Sequence, residues 1–354
     1  MGLRILHTAD WHLDSPLRSL PEEAAASVRA SLERLPRLIA EVCRREACDM
    51  MLLAGDIFDN PQPARSTVET LKSALAQCGV PVFISPGNHD YCSSDSPWLT
   101  EHWPKNVHIF TGSLSYTDVE TLNCRVYGAG YKSMDCQGLL EGFRAEGNAR
   151  WCVGVLHGDP INLTAPCCPV SAAQVRESGL DYLAMGHIHA KGSYRAGTVC
   201  AWPGCPMGRG WDETGEKGVY IVELEEAASL RFLPLGLPQF HNETAVIRTD
   251  ALSALEAVLP AASSPDFFRV TLTGSGSVQI PKLQRQYAHL GYLLLQDETR
   301  ESRNLWDWAG EDSLRGLYFQ KLQALSREEK TSDIASLAAA ISMTLLDGRE
   351  VELP

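Results

Sequence analysis

The chain has 354 residues, 44% of them hydrophobic and 21% charged, which is typical of a folded protein with one large core and a smaller appended domain. Its formal net charge of −13 excludes a protein that coats DNA by general positive charge, so any DNA contact must use a local patch or bound cations. Eleven cysteines without a C-x-x-C pair disfavour a disulfide framework and a thiolate zinc site. Finding neither a secretory signal nor a membrane-spanning run, we expect a cytoplasmic protein.

Apolar runs alternate with amphipathic segments from residue 1 to about residue 235, which predicts strands alternating with helices. The predicted strands are LRILHTAD, MMLLAGD, VPVFISPG, WCVGVLHGD and DYLAMGHIHA. Helices are predicted at residues 21–46, 64–77 and 170–178, the first with a possible kink at Pro36. The later segments TVCAWPG and KGVYIVEL indicate β structure without helices, which we interpret as a second sheet. We therefore expect a layered α/β domain over residues 1–240.

The pattern changes after about residue 240. Residues 241–300 show a mixed order of strands and helices, which predicts a small α+β domain. Residues 301–354 are predicted to form a helical C-terminal tail. Two apolar stripes lie along this tail: Leu314, Leu317, Leu322 and Leu325, and then Ile334, Leu337, Ala338, Ile341 and Leu345. The stripes predict either helices that pack onto the chain's own core or a helix pair that docks a partner, and the sequence leaves both open.

Polar side chains follow the predicted strands at their carboxyl ends. They are Asp10 and His12, then Asp56 and Asp59, then Asn88, His89 and Asp90, and finally His157, His187 and His189. Because the carboxyl ends of parallel strands meet at one edge of a sheet, we expect these groups to converge. Carboxylate, imidazole and amide donors without a thiolate suit divalent ions such as Mn²⁺, Fe²⁺ or Zn²⁺. The donors suffice for two ions that share a bridging carboxylate and clamp a phosphate.

The order D-x-H, GD-x-x-D, GNHD, HG and GH-x-H resembles the signature of the calcineurin-like metallophosphoesterases. The fuller strings HTADWHLDSP, GDIFDNP, PGNHDY and GHIHA resemble the SbcD-type DNA repair exonucleases, particularly their bacterial YhaO-like branch. The likeness is strong over residues 3–235. It implies a metallophosphoesterase β-sandwich flanked by helices, followed by a small α+β capping domain and the helical tail.

The resemblance also implies a role for each matching residue. One divalent ion would be held by Asp10, His12, Asp56 and His189, and the other by Asp56, Asn88, His157 and His187. Mn²⁺ is the expected ion, with Fe²⁺ or Zn²⁺ as alternatives. A water activated between the ions would attack phosphorus while His89 protonates the leaving oxygen, and Asp90 would orient His89. Asp14 and Asp59 are expected to support the loops or the ligands.

The substrate and partners follow only from the family's layout. The resemblance implies a DNA nuclease that acts in repair near the nucleoid, binds an SbcC-like coiled-coil ATPase through its tail, and forms a homodimer. A phosphodiesterase or phosphatase for small molecules or proteins is the first alternative, and a DNA-end-tethering scaffold with weak nuclease activity is the second. Candidate DNA contacts are Arg18, Lys132, Arg195 and Arg209, with Tyr91, Trp98 and Trp103 as candidate stacking residues. The loop AWPGCPMGRGWDETGEKG departs from the family's pattern at Cys205 and Pro206, so its role stays open.

Overall fold

The computed structural model describes residues 2–276, 278–299, 306–328 and 330–346. Its contacts divide the chain into two compact units. The first unit contains Met1–Asn242, Ala262–Arg269 and Ala288–Leu293, and the second contains Glu243–Ala261, Val270–Tyr287 and Leu294–Pro354. Residues 301–305 and 347–354 of the predicted tail lie outside the described residues. The division into three domains at residues 240 and 300 stays a prediction.

The first unit contains a six-stranded sheet. Its strands are β1 (Leu3–Thr8), β2 (Met50–Leu53), β3 (Val82–Ile84), β4 (Val107–Ile109), β11 (Gly218–Leu224) and β12 (Ala228–Pro234). In the order β12-β11-β1-β2-β3-β4, strands β1 to β4 run parallel to one another, whereas β11 and β12 are antiparallel neighbours on the other side of β1. The sequence pattern assigns KGVYIVEL to a second sheet, but the segment forms β11 beside β1 in the first sheet, where its alternate apolar residues face the same core.

A second six-stranded sheet lies in the same unit. Its strands are β5 (Ser115–Val119), β6 (Cys124–Gly128), β7 (Trp151–His157), β8 (Tyr182–Gly186), β9 (Gly192–Ala196) and β10 (Thr198–Trp202). In the order β5-β6-β7-β8-β10-β9, the four central strands are parallel and the two edge strands are antiparallel to their neighbours. The parallel strands are almost completely buried because both faces of this sheet are covered, as is usual for parallel strands.

The main core lies between the two sheets. Ile5 and Leu52 from the first sheet and Val153, Val155 and Tyr182 from the second belong to one buried cluster. A second cluster covers the outer face of the second sheet and includes Leu183 and Val175. The fold is therefore the expected α/β sandwich of two sheets with helices on the outside, and it brings the carboxyl ends of β1, β2, β3, β7 and β8 to one edge.

Helices account for the amphipathic segments of the sequence. The first begins after Pro21, continues through Pro36 and buries one apolar face, and its acidic first turn and basic last turn suit the helix dipole. The second ends where Gly79 adopts a left-handed φ of 79°. The helices are α1 (Glu22–Arg45), α2 (Arg65–Cys78), α3 (Pro97–Thr100), α4 (Ala172–Glu177), α5 (Ala251–Glu256), α6 (Ile280–Gln286), α7 (Leu314–Leu325) and α8 (Ser332–Leu346). Within the described ranges, no helix is both long enough and apolar enough to cross a bilayer.

The remaining strands form a three-stranded sheet. They are β13 (Phe240–Ile247), β14 (Ser264–Gly274) and β15 (Leu290–Asp297). Their order is β13-β14-β15, and the division between the units passes through all three. In the second unit, Phe319 of α7 and Ala339 of α8 are buried against Trp308. Helices α7 and α8 therefore pack on each other through a narrow buried face.

Candidate metal centre

The loops after β1 and β2 run side by side and bring the first site residues together. The amide of Asp10 donates to the Gly55 carbonyl oxygen at 3.0 Å, and the amide of His12 donates to the Asp56 carbonyl oxygen at 3.0 Å. Asp10, His12, Asp56 and His187 all hold positive φ angles, between 46° and 93°. Such angles are costly for residues other than glycine and cluster at functional sites, where the surrounding structure maintains them.

Asp56 lies between the histidines of two groups. Its Oδ1 accepts a hydrogen bond from the His89 amide at 2.9 Å, whereas its Oδ2 lies 3.3 Å from His157 Nε2 and 3.7 Å from His12 Nε2. Although burial works to raise it, the pKa of Asp56 lies well below its ordinary value, chiefly because of the charge of His157. Asp56 is therefore an ionised carboxylate with one oxygen directed at both groups.

Asp10, His12 and His189 form the first group, and their donor atoms lie within 4.8 Å of one another. The Nδ1 atoms of His12 and His189 face the carboxylates of Asp59 and Glu213, at 3.1 Å and 2.7 Å. A carboxylate only accepts, so each Nδ1 donates and each Nε2 is the nitrogen that faces the site. These two Nε2 atoms lie only 3.2 Å apart. At that separation the two nitrogens favour a cation between them, which either a proton or a metal ion would provide.

The buried oxygen Asp10 Oδ2 points to the same conclusion. It has no hydrogen-bond partner among the described residues, while Asp10 Oδ1 accepts from the His187 amide at 2.9 Å. An unpaired buried carboxylate oxygen is costly unless a cation compensates it. The first group therefore fits a divalent ion bound by one carboxylate oxygen and two imidazole nitrogens, with Asp56 Oδ2 beside them.

His157, Asn88 and His187 form the second group. His157 Nδ1 faces the Ala54 carbonyl oxygen at 2.9 Å, so this nitrogen donates and Nε2 faces the site. The amide oxygen Asn88 Oδ1 lies 2.9 Å from His157 Nε2 and 3.2 Å from His187 Nδ1. Burial lowers the pKa of His157, but the charge of Asp56 outweighs it and raises that pKa to about 9. The field at His157 Nε2 thus favours a positive charge, which either a proton or a metal ion would provide.

His89 stands beside the two groups and faces neither with its Nδ1 atom. That nitrogen lies 3.1 Å from the Asp59 carbonyl oxygen and donates to it, which leaves Nε2 as the atom that a substrate would meet. The ring is half-buried and lies edge-on to the His12 ring, with centroids 4.8 Å apart. His12, Asp56 and His89 also satisfy the spacing of a metal-binding group, so an ion there is the alternative to the predicted proton donor.

Asp90 was expected to orient the His89 ring, and this expectation is wrong. Its two carboxylate oxygens accept backbone amides instead: Gly87 at 2.7 Å, Ile57 at 2.8 Å and Phe58 at 3.2 Å. Burial, and then the charge of Asp56, raises the pKa of Asp90 to about 7. Asp90 therefore ties the loop after β3 to the loop after β2, and the Asp59 carbonyl oxygen orients His89.

The residues present fit a pair of divalent ions. All the predicted ligands lie in these two groups, and their donors are carboxylate, imidazole and amide atoms, which bind Mn²⁺, Fe²⁺ and Zn²⁺. Each His, Cys, Asp or Glu cluster with metal-binding spacing in the described part of the chain belongs to this centre. Which ligand serves which ion, and the metal itself, stay predictions.

Two charged residues of this centre were missed by the sequence interpretation. Glu213 accepts from His189 Nδ1. Arg209, a candidate DNA contact, is largely buried, with 13% of its side chain exposed, and is bonded to Glu213 and Asp59. Trp98, a candidate stacking residue, is also buried and stacks on Trp103. The loop around Cys205 therefore carries residues of the centre. The sequence did not indicate this role because the loop departs from the family's pattern at Cys205 and Pro206.

Comparison with known proteins also indicates a metal-dependent phosphoesterase. A family model described as calcineurin-like phosphoesterase matches residues 3–191, more than half of the chain. The chain is 33% identical over 239 residues to an uncharacterized metallophosphoesterase, YhaO, of Bacillus subtilis, covering 63% of this chain and 57% of that protein. It is 37% identical over 93 residues to the SbcD component of the SbcCD nuclease of Rhodobacter capsulatus, covering 25% of this chain and 22% of that one.

These matches leave large parts of the relatives uncovered, since the chain spans 57% or less of the length of these two curated proteins. Among solved structures, a dimetal phosphatase from Danio rerio aligns with a TM-score of 0.46 and 15% identity, over 66% of this chain and 96% of that chain.

Proposed function

Because the chain belongs to the calcineurin-like phosphoesterase family, we propose that it is a divalent-metal-dependent nuclease that hydrolyses DNA phosphodiesters in DNA repair. The position of Asp56 Oδ2 supports this proposal most directly. One ionised oxygen lies 3.3 Å from a histidine nitrogen of one ligand group and 3.7 Å from a histidine nitrogen of the other. A carboxylate in that position can join two ions into a pair that clamps a phosphate.

In the proposed assignment, Asp10, His12 and His189 would hold one ion, Asn88, His157 and His187 would hold the other, and Asp56 would be a ligand of both. The bound pair, expected to be Mn²⁺, would supply Lewis acidity and an activated water for attack on phosphorus. The protein's own contacts fix the orientation of the ligand rings. Carboxylates fix the Nδ1 atoms of His12 and His189, and a backbone carbonyl fixes that of His157.

His89 is the proposed proton donor to the leaving oxygen. Its Nδ1 donates to the Asp59 carbonyl oxygen, which fixes the ring and directs Nε2 to the substrate. To act as the donor, the ring would have to be the imidazolium form, which carries a proton on both nitrogens. Protonation of an alkoxide leaving group is the step that needs help, because an alkoxide is a strong base. Asp90 acts one step further away, by tying the loop that carries His89 to the loop after β2.

The proposed substrate is DNA, and the proposed partner is a coiled-coil ATPase. The match to the SbcD component of the SbcCD nuclease supports DNA as the substrate and an SbcC-like coiled-coil ATPase as the partner, and it covers a quarter of the chain. The tail helices add an independent argument. Leu314 is 86% exposed and Ile334 71% exposed, whereas Leu322 packs against the buried cluster of Trp308 and Phe319. The predicted apolar stripes are therefore only partly used for packing within the described residues. Such exposed apolar faces suit a helical partner.

We also propose that the protein forms a homodimer. This part of the proposal rests on the family resemblance alone. The acidic net charge does not oppose DNA binding, since ions at the centre would neutralise the phosphate locally. A cavity of about 370 Å³ borders the centre at Asp59 and Glu213 and reaches Arg18, which is exposed and available to a flanking phosphate.

The test is to incubate the full-length protein with Mn²⁺ and end-labelled linear DNA, and in parallel with a chromogenic phosphodiester. Asp56→Asn is the control, because it removes the carboxylate charge that faces both groups. We expect metal-dependent shortening of the DNA that is lost in Asp56→Asn. Ester hydrolysis with intact DNA, both in the absence and in the presence of the ATPase partner, would instead identify a small-molecule phosphodiesterase.

A further inference from the structure

The two ligand histidines of the first group share a single cationic side chain behind them. His189 Nδ1 bonds to Glu213 Oε1 at 2.7 Å, and His12 Nδ1 bonds to Asp59 Oδ1 at 3.1 Å. The guanidinium of Arg209 reaches both carboxylates: it donates to Glu213 Oε1 at 2.6 Å and to Asp59 Oδ1 at 3.3 Å. The Arg209 amide also donates to Glu213 Oε2 at 2.7 Å. One residue thus connects the carboxylates that hold both rings.

We propose that Arg209 is a positioning residue that clamps Glu213 and Asp59, so that the Nε2 atoms of His189 and His12 face the same metal ion. The inference rests on the proposed two-ion centre. It adds that the two ion sites differ in what holds their ligand histidines. His157, in the second group, has its Nδ1 held by a backbone carbonyl, which needs no clamp. Arg209 therefore acts on one ion site and spares the other.

The shape of arginine matters here more than its charge. Its planar fork donates in several fixed directions, so one side chain can serve two carboxylates that come from different loops. The Arg209 side chain is 13% exposed and that of Glu213 is 9% exposed, so water cannot readily replace these bonds. A lysine would keep the positive charge and lose the fork, since one ammonium group cannot reproduce both directions.

Carboxylates behind ligand histidines fix the ring and strengthen the nitrogen that faces the metal. Loss of such partners typically weakens metal binding by about 10- to 100-fold. Removing the charge as well would change the attraction between the centre and any cation, which would obscure the loss of orientation. Arg209→Lys is therefore the informative substitution, and Glu213→Asp is the second, because it keeps the charge and withdraws the carboxylate from His189.

The experiment is a titration of the full-length, metal-depleted protein with Co²⁺, followed by visible absorption and calorimetry. Co²⁺ accepts the same imidazole and carboxylate donors and reports its ligand geometry in its spectrum. We expect two ions to bind to the wild type. In both Arg209→Lys and Glu213→Asp, one dissociation constant should rise by about 10-fold or more while the other stays within about twofold.

Arg125→Lys is the matched control. Arg125 also forks onto a carboxylate, that of Asp118, and its side chain is 15% exposed, but it lies on β6, remote in the sequence from every ligand loop. This control should leave both constants and the spectrum unchanged. The proposed role of Arg209 would be overturned if the Co²⁺ dissociation constants of Arg209→Lys and Glu213→Asp matched those of the wild type. It would also be overturned if both ion sites weakened equally.

The titration separates this inference from the proposed function, because it follows ions and uses no DNA. If the wild type binds two ions but leaves DNA intact, the proposed nuclease activity is contradicted. The two Co²⁺ dissociation constants of the variants then still test the proposed role of Arg209. A wild type that binds only one Co²⁺ ion overturns both.

Discussion

Gly87 packs so closely against Asp56 that a Cβ atom on Gly87 would lie 2.3 Å from Asp56 Oδ1. The same atom would lie 2.8 Å from the Asp56 amide nitrogen, which belongs to the backbone and cannot rotate away. The glycine that directly precedes Asn88 therefore leaves room for the carboxylate that faces both ligand groups.

Gly87→Ala is expected to displace Asp56 and to weaken both proposed ion sites at once, because Asp56 Oδ2 faces both ligand groups. Loss of several kcal/mol of transition-state stabilisation would lower phosphodiester hydrolysis by at least about 100-fold. The measurement is hydrolysis of a chromogenic phosphodiester together with Co²⁺ binding. Gly112→Ala is the control, since a Cβ atom there would meet nothing within 4 Å. Full activity in Gly87→Ala would contradict the assignment of Asp56.

His89→Ala should separate proton donation from metal binding. DNA leaves as an alkoxide, which needs a proton, so hydrolysis of DNA is expected to fall by about 100- to 10,000-fold. A nitrophenyl ester leaves as a stable anion, so its hydrolysis should fall far less. The comparison requires rates on both substrates and a Co²⁺ titration of the variant. Loss of an ion from His89→Ala would show that His89 is a ligand, in line with its distance from His12 and Asp56.

Local patterns predicted a layered α/β domain and the convergence of the site, whereas the two-sheet sandwich was implied by the family resemblance. Each predicted ligand comes at the end of a buried strand, and the parallel order of β1, β2 and β3 and of β7 and β8 places those ends together. The strand VPVFI was predicted from Val80 and begins at Val82, which leaves the ligand Asn88 unaffected.

What the sequence did not predict depends on contacts between distant loops. Asp90 follows His89 directly in the sequence, which suggested that its carboxylate orients the ring, but it turns towards the amides of Ile57 and Phe58, more than thirty residues away. Arg209 and Glu213 have no motif of their own in a single sequence. Their contacts appear only when the loop after β10 meets the loops after β2 and β8 in space.

Protonation of His7 is expected to contribute to acid unfolding. His7 is fully buried, where its Nε2 donates to the Met185 carbonyl oxygen at 3.0 Å and its Nδ1 accepts from the Tyr182 hydroxyl at 2.7 Å. Burial lowers the pKa of His7 to about 3. The unfolded chain binds this proton near pH 6.5 and the folded chain only near pH 3, so the stabilisation is complete above pH 6.5 and is lost as the pH falls towards 3.

As the pH is lowered, the free energy of unfolding, measured by urea denaturation, should therefore fall more steeply in the wild type than in His7→Asn. The difference between the two proteins should change by about 2 kcal/mol between pH 6.5 and pH 5, at about 1.4 kcal/mol per pH unit. The comparison is made with a chelator present, so that metal binding does not contribute. His102→Asn, at an exposed histidine, is the control. Curves for the wild type and His7→Asn that run parallel would contradict the depressed pKa of His7.

The exposed stripes of α7 and α8 are expected to bind the coiled-coil ATPase. Leu317 is 57% exposed and Ile334 71% exposed, whereas Phe319 of the same helix pair is fully buried. The double substitution Leu317→Glu with Ile334→Glu places charges on the stripes without touching the buried face. Charge in an apolar interface should abolish a stable complex, since burying each unpaired carboxylate costs several kcal/mol.

The measurement is size-exclusion chromatography of the full-length protein with the purified SbcC-like ATPase from the same organism. Chromogenic ester hydrolysis by the double variant should match the wild type, because the substituted residues lie in the second unit and the ligands in the first. Leu99→Glu, a substitution of a leucine that is 49% exposed on α3, controls for added surface charge. An intact complex in the double variant would reject the docking role and leave the exposed stripes for a second copy of this chain, which light scattering of the protein alone would detect.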